Sequence, residues 1–506
     1  MIIKYFLFFV LFLTPLLWSG DGGEVFAQKQ NIDSILSIIK TDKPDTIKVN
    51  HLLMVCNEYR QIGDYDKGLK YGIEALTLAN SLSDEQGRRG ASSANNNIGS
   101  IYYKQGSSPQ TPYQKSAELF SEALKNYFSS LKLNEELKNK KDIAGSYHNI
   151  GIIYYYLNNY SEALKNYYAA LNIRTELLEK AKRNGNSEEI INNKQEIAIS
   201  YNNIGAVYDD PENYPEALKN YFAALKIYEE IDDKKNSADS YNNIGRIYNV
   251  QDNYSEALKM YFASLKINEE LLKNAMQGGN PSAIINDKED IAFSYNNIGN
   301  IYWNQVNYPD ISGQEKSSNR IDSTNLLNNA LKNYFAALKL REETGDKSDI
   351  AESYINIGNV QMGLKKFKEA AIFLNKGLLF SKETGSKEWI RESYSRMEEL
   401  DSIQNNWKAA YQHHKLFILY RDSIDNEERD KKTILNEMNF DYDKKEAATK
   451  AGLDKKSAVA EAIKNRQQLV FILVSCLLIL VFSFVRFIFH TKRKSKKIEI
   501  EGKKNS

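Results

Sequence analysis

Apolar positions recur along most of this chain with the period of an α-helix. In the stretch SYNNIGAVY, residues 200–208, Tyr201, Ile204, Gly205 and Tyr208 fall at i, i+3, i+4 and i+7, one face of a helix. About twelve residues later comes PEALKNYFAALKI, where Ala217, Tyr221 and Ala224 form one stripe and Leu218, Phe222 and Leu225 the next. An apolar surface that wide predicts a helix packed on two sides. Short polar stretches such as LNNYS, PENYP and QDNYS separate the two kinds of segment and read as turns. Ser161 and Ser255 are expected to cap the second helix, and Pro215 suits its first position.

The pattern repeats. SYNNIGAVY returns as SYNNIGRIY at 240–248, SYNNIGNIY at 294–302, SYHNIGIIY at 146–154 and, more loosely, SYINIGNV at 353–360. A glycine inside a helix costs up to about 1 kcal/mol relative to alanine. Its return at Gly99, Gly151, Gly205, Gly245, Gly299 and Gly358 predicts that another helix passes close to it. The second-helix alanine falls at 123, 163, 217, 257, 330, 370 and 410, with intervals of 40 except for one of 54 and one of 73. The longer intervals carry matching inserts, EKAKRNGNSEEIIN at 179–192 and KNAMQGGNPSAIIN 94 residues later, so a pair of units was duplicated together. The 73-residue interval also holds a polar loop near 305–325. A divergent first unit lies at 49–80 with Gly68 at the alanine position, and a divergent last one contains Trp407 and Ala410. About eight helical hairpins are expected over 46–426.

At 506 residues, an extended array suits this chain better than one compact core. The net charge of +1 predicts no general attraction to nucleic acid. Both ends have the composition of membrane-related segments. Residues 1–27 combine Lys4, an apolar run and a small-residue VFA ending, and are expected to be a signal peptide cut before Gln28, with an uncleaved anchor as the alternative. Residues 28–45 form an N-terminal helix and linker. A charged stalk follows the array at 427–466, where Leu435, Met438 and Tyr442 fit coiled-coil spacing and suggest a homodimer through the stalk. A transmembrane helix is expected at 467–489, its run from Leu469 to Phe489 being 21 residues long. HTKRKSKK then opens a basic tail, 490–506. The positive-inside rule puts that tail in the cytoplasm and 28–466 outside, single-pass in the inner membrane. Read alone, the basic run could be a nucleic-acid patch; behind an apolar 21-mer it reads as a stop-transfer flank.

Gly205, Tyr208, Tyr214, Ala217, Tyr221 and Ala224 reproduce the spacing of the tetratricopeptide repeat, and the chain is similar to that family. The 40-residue interval resembles the longer repeats of kinesin light chain, cell-polarity adaptors and bacterial peptide-pheromone receptors. The resemblance implies an all-α fold, a right-handed superhelix of hairpins whose first helices line a concave groove. The order of segments is similar to bacterial sensors that carry a kinase, phosphatase, cyclase or DNA-binding domain beyond the membrane helix. Here only 490–506 follow, too short for a catalytic core, so such an output domain is expected to be absent.

With Tyr201 at 0° and 100° per residue, Asn203 falls on the face opposite the packed stripe. The same place, two before the glycine, holds Asn97, Asn149, Asn203, Asn243, Asn297 and Asn356. An amide donates and accepts, so such a ladder can pair with the backbone of an extended peptide of any sequence. It can equally fix the stacking of one hairpin on the next, and the sequence leaves both readings open. Asn202, Asn242, Asn296, Tyr155 and Trp303 are expected at the groove rim. The mixed charges at Asp209, Asp210 and Arg246 give no clamp for a terminal carboxylate.

Enzyme chemistry finds no footing. There is no P-loop, Rossmann fingerprint, nucleophile elbow or zinc-protease motif. The five histidines show no ligand spacing; His413 and His414 diverge by about 100° on a helix, so neither a metal site nor a cofactor is expected. Cys56 and Cys476 are not expected to pair, one being outside and the other mid-membrane. The expected function is a non-enzymatic, membrane-anchored sensor or co-sensor that binds a protein or peptide and passes the event to a cytoplasmic or membrane signalling partner. The alternative is an envelope scaffold with no signalling role.

Overall fold

The computed structural model describes residues 31–108, 111–209, 213–307 and 323–502. The expected signal peptide and most of the 305–325 loop lie outside the described residues, as do the side chains of Leu435, Met438 and Tyr442. The chain divides into two units, Met1–Ile434 and Leu435–Ser506.

The first unit is a file of antiparallel helices. A short helix, α1 (31–39), precedes hairpin 1, α2 (Thr46–Gln61) and α3 (Tyr65–Ser81). Hairpin 2 is α4 (Glu85–Gly106) and α5 (Tyr113–Glu136); hairpin 3 is α6 (Lys140–Tyr156) and α7 (Tyr160–Asn184). Hairpin 4 is α8 (Ser187–Val207) and α9 (Tyr214–Glu230); hairpin 5 is α10 (Lys234–Val250) and α11 (Tyr254–Gly278). Hairpin 6 is α12 (Pro281–Asn307) and α13 (Ser323–Thr344); hairpin 7 is α14 (Lys347–Gly363) and α15 (Phe367–Thr384). Hairpin 8 pairs α16 (Lys387–Ile403) with the start of α17 (Trp407–Gly502). All described elements are helical, and the stack is superhelical, the fold class expected from the sequence.

Hairpins 2 to 7 each close on a glycine of the first helix. A Cβ built on Gly205 would lie 2.9 Å from the Tyr221 ring. The same collision is 2.8 Å for Gly99 with Tyr127, 2.7 Å for Gly151 with Tyr167, 2.9 Å for Gly245 with Tyr261 and 2.7 Å for Gly299 with Tyr334. In hairpin 7, Leu374 takes the ring's place at 2.8 Å from Gly358. The second helix also wedges against the next hairpin. Tyr221 and Leu225 of α9 share a core with Ile244 and Ile247 of α10, and Tyr261 and Leu265 of α11 with Ile291 and Ile298 of α12. That is the two-sided packing the wide apolar stripe predicts.

The ends of the stack differ from its middle. Ile32, Ile35 and Ile39 of α1 are buried on hairpin 1. At the other end Leu416, Phe417 and Tyr420 of α17 pack on Ile390 and Met397 of α16. The caps correct one expectation. Asn159 and Asn253, not Ser161 and Ser255, accept the first-turn amides, from Glu162 N and Glu256 N, because the helices begin two residues earlier than those serines would set, at Tyr160 and Tyr254. Pro215 lies inside the first turn, behind Asn213. The preceding turn residue, Asn158 or Asp252, takes the left-handed backbone that short polar side chains tolerate.

In the second unit, the segment Glu461–Lys494 is long and apolar enough to cross a membrane, with a mean hydropathy of 2.8 over its best window. Length and composition alone support that statement.

Two glycines of the first unit separate close approach from simple helix flexibility. Gly205→Ala should destabilise the array by about 1–3 kcal/mol through overpacking against Tyr221. Gly145→Ala, on α6 where an added Cβ meets nothing within 4 Å, should stabilise it by up to about 1 kcal/mol. Urea melts of the two variants check the opposite signs.

Candidate functional site

The six asparagines two before the glycine sit on successive first helices, and all six are half-buried. Their amides are not all free. Asn149 Nδ2 donates to Asn96 Oδ1 at 2.9 Å, Asn243 Nδ2 to Asn202 Oδ1 at 3.2 Å, and Asn356 Nδ2 to Asn296 Oδ1 at 3.2 Å. In each case the donor is the ladder residue of one hairpin, and the acceptor stands three before the glycine of the hairpin in front. Asn296 in turn donates to Glu352 Oε1 at 3.0 Å.

These amide pairs close at junctions 2–3, 4–5 and 6–7, where the alanine interval is 40. At junctions 3–4 and 5–6, which carry the inserts, no such pair is present among the described residues. There His148 replaces the acceptor before Asn203, and Asn242 Oδ1 is buried without a partner in front of Asn297. The inserts lengthen the helices on both sides of the joint: α7 and α8 run 25 and 21 residues and α11 and α12 run 25 and 27, against 17 each for α9 and α10.

The expected rim residues are not equally open. Asn242 and Asn296 are buried at 8% and 3% exposure, while Asn202 is half-buried. Tyr155 is half-buried beside the Tyr156 ring, which lies edge-on to Tyr103. Trp303 packs into the core shared by hairpins 6 and 7 with Leu327 and Val360. Asp209 and Arg246 form an ion pair with each other.

Around the insert junction 3–4 the first helices α4, α6 and α8 open onto a cavity of about 820 Å³. Asn96, Asn97 and Asn149 line it, with Ser92, Asn134 and Arg174 at its floor. Ser92 Oγ donates to Asn134 Oδ1 at 2.8 Å. Arg174, 4% exposed, donates to Ser200 Oγ at 2.6 Å and to the Glu196 carbonyl at 3.0 Å, and its other terminal nitrogen pairs with the Glu196 carboxylate. Arg341 repeats the arrangement at junction 6–7, donating to Ser353 Oγ at 2.7 Å and Glu352 Oε2 at 3.0 Å. These two arginines were not singled out from the sequence. The signal was there: each lies eleven after its second-helix alanine and faces the serine that opens the repeated phrase.

That serine is buried in every copy, and its hydroxyl usually back-bonds within its own helix, as Ser240 Oγ does to the Asn236 carbonyl at 2.9 Å. It is small enough to admit whatever the preceding helix places against it. His51, His413 and His414 each meet a different carboxylate, Asp42, Asp401 and Glu398, and no group of three or more His, Cys, Asp or Glu among the described residues could hold a metal. Burial pushes the Cys56 thiol up to about 11, which keeps it protonated and unreactive.

Models of the tetratricopeptide repeat match residues 143–181, 196–270 and 351–383. The chain carries tetratricopeptide repeats. Solved structures resemble the repeat array at low identity. The apo form of RapI shares 15% identity with a TM-score of 0.43, over 65% of this chain and 99% of that one. The apo quorum sensor NprR from B. thuringiensis shares 15% with a TM-score of 0.45, over 78% and 95%. Aspartyl phosphate phosphatase F from Bacillus subtilis shares 12% with a TM-score of 0.47, over 81% and 96%. No curated protein sequence matches this chain.

The tetratricopeptide junction 3–4 titrates differently from its neighbours. Burial, and then the Arg174 charge, push His148 down to about 3. An unfolded chain protonates this histidine near pH 6.5. Between about 6.5 and 3 the unfolded state therefore binds the extra proton, so stability is complete above that window and is lost as pH falls through it. His148→Asn restores the residue found at junctions 2–3, 4–5, 5–6 and 6–7. It should flatten the acid-side loss, so that the urea midpoint falls less between pH 7 and pH 4 than in the parent.

Proposed function

We propose that the hollow side of the repeat array holds an extended peptide or protein segment. The observation that carries this is the row of half-buried asparagines on successive first helices. Where the Nδ2 of a ladder residue is spent on the hairpin in front, as in Asn149, its own Oδ1 remains for an incoming N–H. Where the pair is open, as at Asn203, the whole amide is available. An extended backbone alternates donors and acceptors every few ångströms, so it needs receptor amides at intervals and not one strong anchor. Stacked helices supply such a series with no demand on the ligand's side chains.

In this reading the protein is not a catalyst. It is anchored by the apolar segment within Glu461–Lys494, with the array on the outer side of the inner membrane and the basic tail in the cytoplasm. Groove occupancy is passed through the stalk, as a homodimer, to a cytoplasmic or membrane signalling partner. This sensor or co-sensor role is preferred over that of a passive envelope scaffold because the amides that would meet a ligand also join one hairpin to the next, so that binding and stacking share the same groups.

The test is a photo-cross-linker at position 203 and, separately, at position 222 on the outer face. The partner should be captured from position 203 and not from 222, and, in a separate pull-down without the cross-linker, Asn203→Ala with Asn243→Ala should reduce capture about tenfold with helix content unchanged. Retained capture in that double variant would remove the asparagines from the binding site. Replacing 467–489 by an unrelated anchor should abolish output while leaving capture intact; unchanged output would make the protein a scaffold.

A further inference from the structure

A second cavity, of about 940 Å³, adjoins the first on its hairpin 2–3 side and shares Lys141, Leu177 and Lys180 with it. Its walls are the turn before α6, the start of that helix and the outer half of α7, which the insert lengthens. Six cations line it against two carboxylates. Both carboxylates are engaged, Glu176 by Lys140 and Glu179 by Lys182 at 2.8 Å, and Arg89 is held by Glu85 at 2.7 Å. Lys138, Lys141, Lys180 and Arg183 are exposed and have no ion-pair partner among the described residues. In a chain of net charge +1, four unpaired cations around one opening are a local excess.

The fold does not require them, and the protein contains its own control. Hairpins 5 and 6 repeat this architecture 94 residues later, down to the left-handed glycine that ends the long helix, Gly185 in one copy and Gly279 in the other. There Asp232, Asn274 and Gln277 stand where Lys138, Lys180 and Arg183 stand in the first copy. The fourth cation, Lys235, pairs with Asp290, while its counterpart Lys141 is unpaired because the equivalent acid, Glu196, is taken by Arg174. Structural pairs survive in both copies: Lys140 with Glu176 corresponds to Lys234 with Glu270 at 2.7 Å.

We infer that the edge formed by Lys138, Lys141, Lys180 and Arg183 recognises acidic side chains on the extended segment that occupies the neighbouring groove. This rests on the peptide reading above and adds the chemistry of the ligand. The amides hold its backbone, and the cations select carboxylates on the stretch that crosses hairpin 3. Glu189, on the opposite wall of the groove, repels a carboxylate there and so confines the acidic positions to the α6–α7 side.

The full chain in nanodiscs of zwitterionic lipid is titrated with two fluorescent dodecapeptides, alternating Glu–Ser and alternating Gln–Ser, at low and at physiological salt. The Glu peptide should bind about tenfold more tightly than the Gln peptide, with the gap closing as salt rises. Lys138→Gln with Lys180→Asn and Arg183→Gln should erase the gap. The reverse set, Asp232→Lys with Asn274→Lys and Gln277→Arg, should create a second site for the Glu peptide, and a gain of that kind is not a folding defect. Equal binding of the two peptides, or a gap that survives the triple substitution, overturns the proposal while leaving the groove itself intact. Tighter binding of a DNA duplex or of phosphatidylglycerol vesicles than of the Glu peptide, lost in the same triple variant, overturns it in favour of a general polyanion surface. If the Glu peptide binds this edge but never cross-links from position 203, the groove reading fails and the acidic preference stands.

Discussion

The rest of the array depends on the contact between a bare glycine backbone and an aromatic ring. With Gly205 lacking a Cβ, Tyr221 lies against the first helix, and the second helix follows it inward. That close approach seats Ala217 and Ala224 without exposure and brings Leu225 to the next hairpin. Any hairpin splayed at this point would no longer match its neighbour, because both faces of the second helix are committed. The price in helix propensity, about 1 kcal/mol per glycine, is offset by burying a tyrosine side chain, worth more than that in apolar area alone. Among hairpins 2 to 7 the one exception keeps the logic: in hairpin 7 a branched Leu374 fills the space over Gly358.

Polar groups do not hold this stack together so much as set its register. Lysines of first helices reach glutamates on their own second helices, Lys194 to Glu230 at 3.0 Å and Lys347 to Glu383 at 2.8 Å among them. Being open to solvent in whole or in part, each contributes at most about 1 kcal/mol. The buried arginines are different. Arg174 and Arg341 cross from one hairpin to the next and saturate most of their donors there, so a slipped junction would strand a charge. Serine opposite them leaves room, and the asparagine pairs give three of the four 40-residue junctions a geometric check.

Much of this could be read from the chain before any coordinates. The glycine's purpose was legible because six copies placed it at one helical angle, and the alanine spacing counted the hairpins. The asparagine row was legible for the same reason. What the asparagines touch was not: Asn149 and Asn96 are 53 residues apart, and helical angles place a residue on a face without saying how far it reaches. The burial of Asn296 escaped for that reason, as did the arginine crossings, which need the preceding hairpin to be in position. The caps were misplaced by the attraction of serine. Asn159, two residues earlier, had equal capping chemistry, and the tyrosine between them gave no sign that the helix had already begun.

The alternation of junctions has a mechanical corollary. Joints 2–3, 4–5 and 6–7 are latched by an amide pair, and joints 3–4 and 5–6 are not. Joint 3–4 is tied instead by buried Arg174, bonded to Ser200 and Glu196, and joint 5–6 by the Lys235–Asp290 ion pair. The superhelix therefore alternates two kinds of fastening along its length, and load along it falls unequally on the two. A long molecule lying in the hollow would sense, and set, the angles at those joints.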